Sequence, residues 1–415
     1  MPVLVTNQAE STSVGTITSG SNVEITVQTT DGALFPAIDS VIDYFYVRLG
    51  TDETNEVVKI IGRTDDVLTA EYVSDEYAVN TPIKLTVCAE LFDDYQSYFF
   101  RSAPIVVGGD SPDFATLNDF FAALQDIPIK IGRTIDVTLR GVTDWNLYTP
   151  DFATPQQINF SGEIAGITLS SIQSSSGSAG NYSVVLNVSS VTGLLVDQVV
   201  GVVPDNISGG TNPQYLYGAH KITNVDVGNS RITVNTKHQG VPSGAVTGDI
   251  TVFKTVLNSI VIRGNPFASL TNIAVDALGN YGLNVSVAAE VSSIAIINGD
   301  PGVYAVANRI LVLNNCYISD CLTGISNLGH LEFNGGIIAD CDVAIFQENG
   351  HSFISTQIHN CGEGVQITNN STCLIDSATI NNTTGVAIHA SRAAYVKATN
   401  MTLSGNGTDY SPALN

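Results

Sequence analysis

Two carboxylates placed one repeat apart are the residues of this chain best suited to acid–base chemistry. Asp320 and Asp340 precede Cys321 and Cys341 in two segments of similar pattern, twenty residues apart. In a solenoid of that period they stack on neighbouring coils, near the ~5–5.5 Å that separates the carboxyl groups of retaining glycosidases. A glycosidase or lyase site would therefore include Asp320 and Asp340, with Glu363 close by.

The same two carboxylates also have a purely structural explanation. Asn360 and Asn381 stand at the corresponding positions of the next repeats, and Asx residues favour turns because their side chains bond to the local backbone. A lyase would also need Lys or Arg beside its acids, but only Arg392 and Lys397 follow Arg309. Catalysis stays an open alternative, and a role as turn residues is favoured.

A metal site is the second chemistry to consider. Cys321, Cys341 and Cys361 recur at intervals of twenty residues, and three histidines fall in the same repeats. Zinc needs four ligands that converge at about 2.0–2.3 Å, whereas stacked coils hold parallel side chains about 4.8 Å apart. We therefore expect no metal and no cofactor, and a ladder of small, reduced, buried thiols.

Ligand binding is the third possibility, and it points to an irregular stretch of the chain. The polar loop Ser208–Tyr217 interrupts the repeat and is followed by a histidine. The single tryptophan lies earlier, with Tyr148 nearby, as a possible sugar platform. The candidate binding residues are Gln214, Tyr215, Tyr217, His220 and Trp145.

A repeat of about twenty residues must position all of these side chains. A Gly or Ala followed by an aliphatic residue recurs at intervals of 20, 22, 20, 20 and 21 residues. The pairs are Gly282-Leu283, Gly302-Val303, Gly324-Ile325, Ala344-Ile345, Gly364-Val365 and Gly385-Val386. A period of this length indicates a solenoid, because no single coil can bury its own apolar face.

Each repeat also contains short strand patterns. One inward position is aliphatic in five successive coils: Ile318, Ile338, Ile358, Ile380 and Leu403. Upstream of it lie alternating pairs that predict buried strands: Leu311/Leu313, Leu331/Phe333, His351/Phe353, Cys373/Ile375 and Val396/Ala398. A leucine-rich repeat would need more leucines and a helical side. The pattern predicts a parallel β-helix, right-handed as parallel crossovers are.

The rest of the chain divides into segments of different pattern. Residues 1–107 alternate apolar and polar in short runs and predict a small β domain. Residues 108–130 predict a linker and a capping helix, with Ser111 as N-cap, Pro112 at its first position and Phe114, Leu117, Phe121 and Leu124 on one face. First coils follow at 131–180, an inserted β subdomain at 181–255, and the remaining coils and a tail at 256–415. The insert serves either binding or packing against the coils.

Composition excludes several classes of function. The chain has 16 Lys and Arg against 39 Asp and Glu, a net charge of −23. Such a surface repels nucleic acid and anionic lipid. The N-terminus MPVLVTNQAE lacks a basic and an apolar region, and no stretch reaches eighteen apolar residues. We expect neither nucleic acid binding, nor membrane insertion, nor classical secretion.

Several stretches resemble one family. YVRLGTDETNEVVKIIGRTDDVLT looks like the amino-terminal segment of tailed-phage fibre proteins. DFATLNDFFAALQDIPIKIGRTIDVTLRGV, followed by ITLSSI, resembles the cap helix and first coils of phage tail-fibre and tailspike β-helices. VSSVTGLLVDQVVGVV and GAHKITNVDVGNSRITVNT are similar to an insert of such fibres. These stretches cover most of the first 255 residues.

The resemblance implies a structural virion protein, made in the host cytoplasm and located in the tail. It implies a homotrimer that binds other tail or baseplate proteins through its N-terminal domain. The last coil ends near Leu403, and the short tail after it is too small to cover that coil, so we expect the other protomers or a further fibre protein there. Two classes of function remain: non-enzymatic attachment to a host glycan or linkage to other tail components, and polysaccharide depolymerisation.

Overall fold

The structure is a computed structural model, and it describes twelve stretches of the chain. They are residues 9–35, 44–51, 54–85, 104–125, 134–141, 145–148, 157–178, 181–207, 216–237, 246–263, 268–307 and 309–411. Strands dominate these stretches, and Leu117–Gln125 is the only α-helix within them. No helix in the described stretches has the length and apolar character to cross a membrane. The predicted all-β class is confirmed, with one α-helix in the described stretches.

The N-terminal unit is a six-stranded antiparallel sheet. Its strands are Glu10–Thr12, Gly20–Thr26, Phe45–Thr51, Thr54–Thr64, Val67–Val73 and Pro82–Leu85. Alternate side chains point to one face, and Ile25, Val47 and Leu68 are fully buried there. This period-two burial is what the alternating sequence predicts. A small N-terminal β domain is confirmed.

The second unit contains a parallel β-helix of about 11 turns. Strands in the first ladder are Ile105–Val107, Thr134–Leu139, Gln157–Gly162, Ala268–Thr271, Ala289–Ser292, Ile310–Ser319, His330–Ala339, His351–His359, Thr372–Asp376 and Tyr395–Thr399. The second ladder contains Val256–Leu257, Ala274–Asp276, Ala295–Ile297, the ends of the three long strands, Thr379–Asn381 and Thr402–Ser404. The third ladder contains Asn146–Tyr148, Ser259–Ile262, Leu283–Val285, Val303–Ala305, Thr323–Asn327, Val343–Glu348, Glu363–Thr368, Val386–Ala390 and Thr408–Ser411. The predicted parallel β-helix is confirmed.

One inward aliphatic residue from each coil forms the core of the second ladder. The predicted register holds, and it extends to three earlier coils. The stacked residues are Leu257, Val275, Ile296, Ile318, Ile338, Ile358, Ile380 and Leu403. Ile318, Ile338 and Ile358 are 0% exposed. Full burial of such a side chain stabilises a fold by about 1.5–3 kcal/mol.

Two parts of the predicted register are wrong. Ser352 and Ile354, and not His351 and Phe353, pair with the inward residues of the preceding coil. An irregularity at Gly335 and Gly336 changes the pairing offset within this strand, so a fixed period misplaces its first half.

The last Gly–aliphatic pair is also displaced. Val365 pairs with Ile388, and not with Val386. The coil between Val365 and Ile388 is longer than the one between Ile345 and Val365, so a constant period ends too early. Ala387 and Ile388 therefore take the buried small and aliphatic positions predicted for Gly385 and Val386.

A closed, six-stranded antiparallel barrel interrupts the β-helix. Its strands are Ile164–Ser178, Asn181–Val188, Val199–Ile207, Gly218–Asp226, Arg231–Thr236 and Val246–Phe253. The barrel has its own core, in which Leu186, Val202 and Ile232 are fully buried. It begins at Ile164 and not at Asn181, because Ile164–Ser178 pairs with both neighbouring barrel strands. Alternating burial is common to barrel and coil strands, so the pattern alone cannot tell them apart.

The α-helix begins later than its sequence suggests. Thr116 caps it: the backbone N–H of Asp119 donates to Thr116 Oγ1, and the N–H of Thr116 donates to Asp119 Oδ2, both at 3.2 Å. The expected N-cap, Ser111, has φ 52° and lies before the helix. The rings of Phe120 and Phe121 lie 6.3 and 6.1 Å from the ring of Phe160 in the first ladder. This half of the helix thus packs on an early coil, as expected of a cap.

Candidate functional site

Asp320 and Asp340 lie where the second ladder turns towards the third. Both have left-handed backbones, with φ of 58° and 59°. The N–H of Asp320 donates to Ala339 O at 3.3 Å, and the N–H of Asp340 donates to His359 O at 3.1 Å. The same left-handed position is filled in other coils by Asn298, Asn360 and Asn382. The two aspartates are therefore turn residues, and Asn382 rather than Asn381 continues their ladder.

The barrel supplies a cation to this acid pair. Lys237, directly after the strand Arg231–Thr236, places Nζ 3.4 Å from Asp320 Oδ1 and donates to Asp340 O at 3.1 Å. Burial and the neighbouring charge of Asp340 raise the pKa of Asp320, while the charges of Lys237 and His220 oppose this shift. The ammonium group therefore stabilises the ionised form of a carboxylate that is largely removed from water.

Two histidines and a tyrosine complete what we call the junction cluster: Tyr217, His220, Lys237, Asp320, Asp340 and His359. His220 is 1% exposed, and its Nε2 donates to Leu216 O at 3.1 Å. His359 is 3% exposed and stacks on Tyr217, with ring centroids 4.4 Å apart and planes 14° apart. Burial lowers the pKa of His359 to about 4, against the charge of Asp340. His359 is therefore neutral at pH 7.

The barrel strand Gly218–Asp226 lies directly on the coils. The N–H of Ala219 donates to Ser319 Oγ at 2.8 Å, and Lys221 Nζ lies 3.1 Å from Asp276 Oδ2. A Cβ atom on Gly218 would collide with Ser319 Oγ, so only glycine allows this close approach. Between barrel and coils lies an apolar cluster of Val199, Ala219, Phe253, Val256, Ala274, Ala295, Ile297 and the ring of Tyr317.

Burial beneath the barrel limits the chemistry that Asp320 and Asp340 can perform. Asp340 is 4% exposed and His359 is 3% exposed beneath the barrel. A polysaccharide cannot place a glycosidic bond beside both carboxylates in this arrangement. The cluster is instead suited to fixing the barrel on the coils through buried charges and hydrogen bonds.

The cysteine ladder adjoins the acid pair but takes no part in it. The thiols of Cys321, Cys341 and Cys361 donate to the carbonyls two residues earlier at 3.2, 3.3 and 3.3 Å. The pKa of Cys341 is raised well above its usual value, chiefly by burial, and that of Cys321 chiefly by its contact with Cys341. No disulfide joins the five cysteines of the described stretches. Nor do those stretches hold a metal-binding group of three or more His, Cys, Asp or Glu.

The remaining predicted site residues lie elsewhere. Glu363 is in the third ladder, where it accepts a hydrogen bond from Gln366 and lies 3.9 Å from His389 Nδ1. Trp145 packs over Gly108, where a Cβ atom would come within 2.6 Å of the indole ring. Gln214 and Tyr215 lie outside the described residues.

Lys237 was not identified from the sequence, and His359 was considered only as one of the three histidines in the repeats of the cysteine ladder. Lys237 is 83 residues from Asp320 in the chain, and no periodicity connects a barrel residue with a coil. His359 was identifiable in principle, since it directly precedes Asn360 in the turn ladder, as Ser319 and Ala339 precede the two aspartates. The sequence identified Tyr217 and His220 as candidate binding residues, but it did not predict the stacking of Tyr217 on His359 or the effect of His220 on Asp320.

The fold and the cluster define a capped parallel β-helix with an antiparallel barrel fixed on one face. No family model and no curated protein matches the chain. Among solved structures it is similar to the tailspike gp61 of Pseudomonas phage phi297, with 10% identity over 76% of this chain and 75% of that chain, at a TM-score of 0.21. It is also similar to the Gp54 tailspike of Acinetobacter baumannii bacteriophage AP22, in complex with A. baumannii capsular saccharide. That likeness has 10% identity over 67% of this chain and 64% of that chain, at a TM-score of 0.21.

Proposed function

We propose that the chain is a subunit of a bacteriophage tail fibre or tailspike that attaches the virion to a glycan of the host surface. The resemblance of its first 255 residues to such proteins supports this, as do the β domain, the helix before the coils and the barrel insert. One observation favours binding without cleavage. The acid pair that would catalyse hydrolysis is covered by the barrel, and Asp340 is 4% exposed.

The experiment is a cell-binding assay with the labelled full chain. Pairs of bacterial strains that differ only in the presence of surface polysaccharide are compared across several hosts. We expect binding to at least one polysaccharide-bearing strain, loss of binding to its polysaccharide-free partner, and competition by the free polysaccharide. Equal binding to the two strains of every pair would refute the proposal.

The proposed assembly is a homotrimer located in the virion tail. Its N-terminal domain binds other tail or baseplate proteins, and the β-helix faces the host. Sedimentation then gives a particle of three chains of 43.7 kDa each. A monodisperse monomer at high salt, where repulsion between acidic chains is screened, is the result that speaks against this assembly.

Depolymerisation is the second candidate, and it has one observation in its favour. Asp320 and Asp340 interact electrostatically, and the pKa of Asp320 is raised, as a general acid requires. Cleavage would require the barrel to move away from the coils. The test measures new reducing ends from host polysaccharides, with Asp320→Asn and Asp340→Asn against Glu332→Gln as the control. Activity that both Asp variants lack and the control keeps would establish this candidate.

A further inference from the structure

Two adjoining cavities follow the corner where the third ladder turns into the first ladder of the next coil. One, of about 260 Å³, is lined by Phe346, Gln366, His389 and Arg392. The other, of about 510 Å³, is lined by Arg309, His330 and His351. Consecutive residues join them, because Glu348 lines the first cavity and Asn349 lines the second. We call this surface the corner groove.

The corner groove gathers the positive charge of this part of the chain. From Val303 to the C-terminus the sequence has three Lys or Arg, four His and eight Asp or Glu. Two of the three cations and three of the four histidines line the two cavities, whereas Glu348 is the single acid that does. In a chain with a net charge of −23, this surface differs from its surroundings by being able to accept an anion.

The acid within the groove is already occupied by the protein. Glu348 accepts a hydrogen bond from the side-chain amide of Asn369. The oxygen of that amide accepts from an Nη of Arg392 at 3.4 Å, which holds the exposed guanidinium at the groove. A guanidinium has five N–H donors in a planar fork that matches a carboxylate. In the second cavity His330 Nε2 lies 3.1 Å from Glu332 Oε1, while Arg309 is exposed.

The length of the groove indicates the size of its ligand. The corner passes from Arg309 through Gly329, Gly350 and Asn370 to Arg392, one coil at each step. Four steps at the spacing of paired strands span about 19 Å. A ligand that reaches both arginines is therefore an extended chain and not a single small anion.

We propose that the corner groove binds an acidic polysaccharide. Arg309 and Arg392 bind the carboxylates of sugar acids such as uronic acids. Phe346 supplies a ring for the apolar face of a sugar, and Gln366 and Asn349 supply amides for its hydroxyl groups. The inference rests on the proposed attachment function and names the ligand class. It places binding on the open corner, away from the covered acid pair.

The test measures binding of the full chain to three polyanions: polygalacturonate, polymannuronate and polysialic acid. Each is compared with its own carboxyl-reduced form, which keeps the sugar backbone and loses the charge. Arg309→Gln and Arg392→Gln remove one guanidinium each. Lys397→Gln removes the same charge from an exposed residue that lines neither cavity, and is the matched control.

We expect at least one polyanion to bind more tightly than its reduced form at about 0.15 M salt. Each arginine variant then weakens binding by about tenfold, as expected for loss of a charge-assisted hydrogen bond, and the control by less than about twofold. Equal weakening in all three variants would show nonspecific attraction and overturn the inference. So would the lack of any preference for the acidic polymers. If cell binding still depended on polysaccharide, the attachment function would stand without this ligand class.

Discussion

Nζ of Lys237 lies 3.4 Å from Oδ1 of Asp320, and this ion pair joins the barrel to the β-helix. Asp320 shares its turn ladder with Asp340, so two acids lie close together where little water reaches them. A cation from the insert offsets that unfavourable arrangement. The acid pair is thus explained by attachment of the barrel, and it needs no catalytic role.

Removal of the Lys237 ammonium group should destabilise the folded state, because Asp320 and Asp340 are then buried without that cation. We expect Lys237→Gln to lower the free energy of unfolding of the β-helix unit by about 1–3 kcal/mol, since the side chain of Asp320 is 16% exposed and that of Lys237 is 43% exposed. The folded-state pKa of Asp320 is raised from 3.8, so its protonation favours the folded state. That contribution is complete below pH 3.8 and is lost as the pH rises through the raised pKa.

Chemical denaturation at pH 4 and pH 7 checks this prediction. The variant should be destabilised more at pH 7, and Asp320→Asn in the same chain should restore most of the loss. Glu163→Gln is the control: it breaks a 3.0 Å pair with Arg140 whose side chains are 41% and 42% exposed, and should cost less than about 1 kcal/mol. Equal destabilisation at both pH values would mean that the ion pair is unimportant.

His359 should make the folded state sensitive to acid. Burial lowers its pKa from 6.5 to about 4, so below pH 6.5 the unfolded chain takes up a proton that the folded chain does not. Its contribution is complete above pH 6.5 and is lost as the pH falls towards 4, about 3 kcal/mol in total. His359→Gln should flatten the stability profile over this range. The exposed His351→Gln is the control, and an unchanged slope in His359→Gln would disprove the assignment.

Gly218 should be essential for the contact between barrel and coils. Gly218→Ala places a methyl group against Ser319 Oγ at a backbone φ of 116°, so we expect the barrel to separate locally from the coils. Hydrogen exchange should then rise in Gly218–Asp226 and at the end of Ile310–Ser319. Gly166→Ala, in another barrel strand with open space around its Cβ position, is the control. Unchanged exchange in Gly218→Ala would mean that the contact adapts freely.

The stacked isoleucines should carry much of the stability of the coils. Ile338→Ala removes a fully buried side chain from the second ladder, and we expect a loss of about 2–5 kcal/mol. Ile310→Ala, at a position that is 52% exposed, should cost far less. Thermal unfolding followed by circular dichroism compares the two variants. Equal losses would argue against a core organised by this ladder.

The sequence predicted the strand ladders because the aliphatic residues that form them recur at a regular interval. Ile318, Ile338 and Ile358 keep one offset, and burial at period two follows from strand geometry. Prediction failed where the offset changed, at the bulge of Gly335 and in the longer coil before Ile388. It failed again at Ser111, because Phe114 forms a β-bridge with Val107 before the helix begins at its cap, Thr116.

The candidate site was less predictable than the fold. Asp320 and Asp340 were identified correctly as neighbours, since the repeat alone places them in adjacent coils. The contact of Gly218 with Ser319 and the ion pair of Lys237 with Asp320 depend on how a barrel of separate pattern lies on the coils. The secondary-structure propensities of single segments do not predict how the barrel packs on the coils. A catalytic pair and a ladder of turn residues are therefore indistinguishable in the sequence.

The most direct test of attachment without cleavage combines the full chain with a polysaccharide from a strain that it binds. Size-exclusion chromatography with light scattering follows the mass of the polymer over time. Our account predicts a stable complex in which the polymer keeps its length. Shortening of the polymer, absent in Asp320→Asn and Asp340→Asn, would contradict it and identify the chain as a depolymerase.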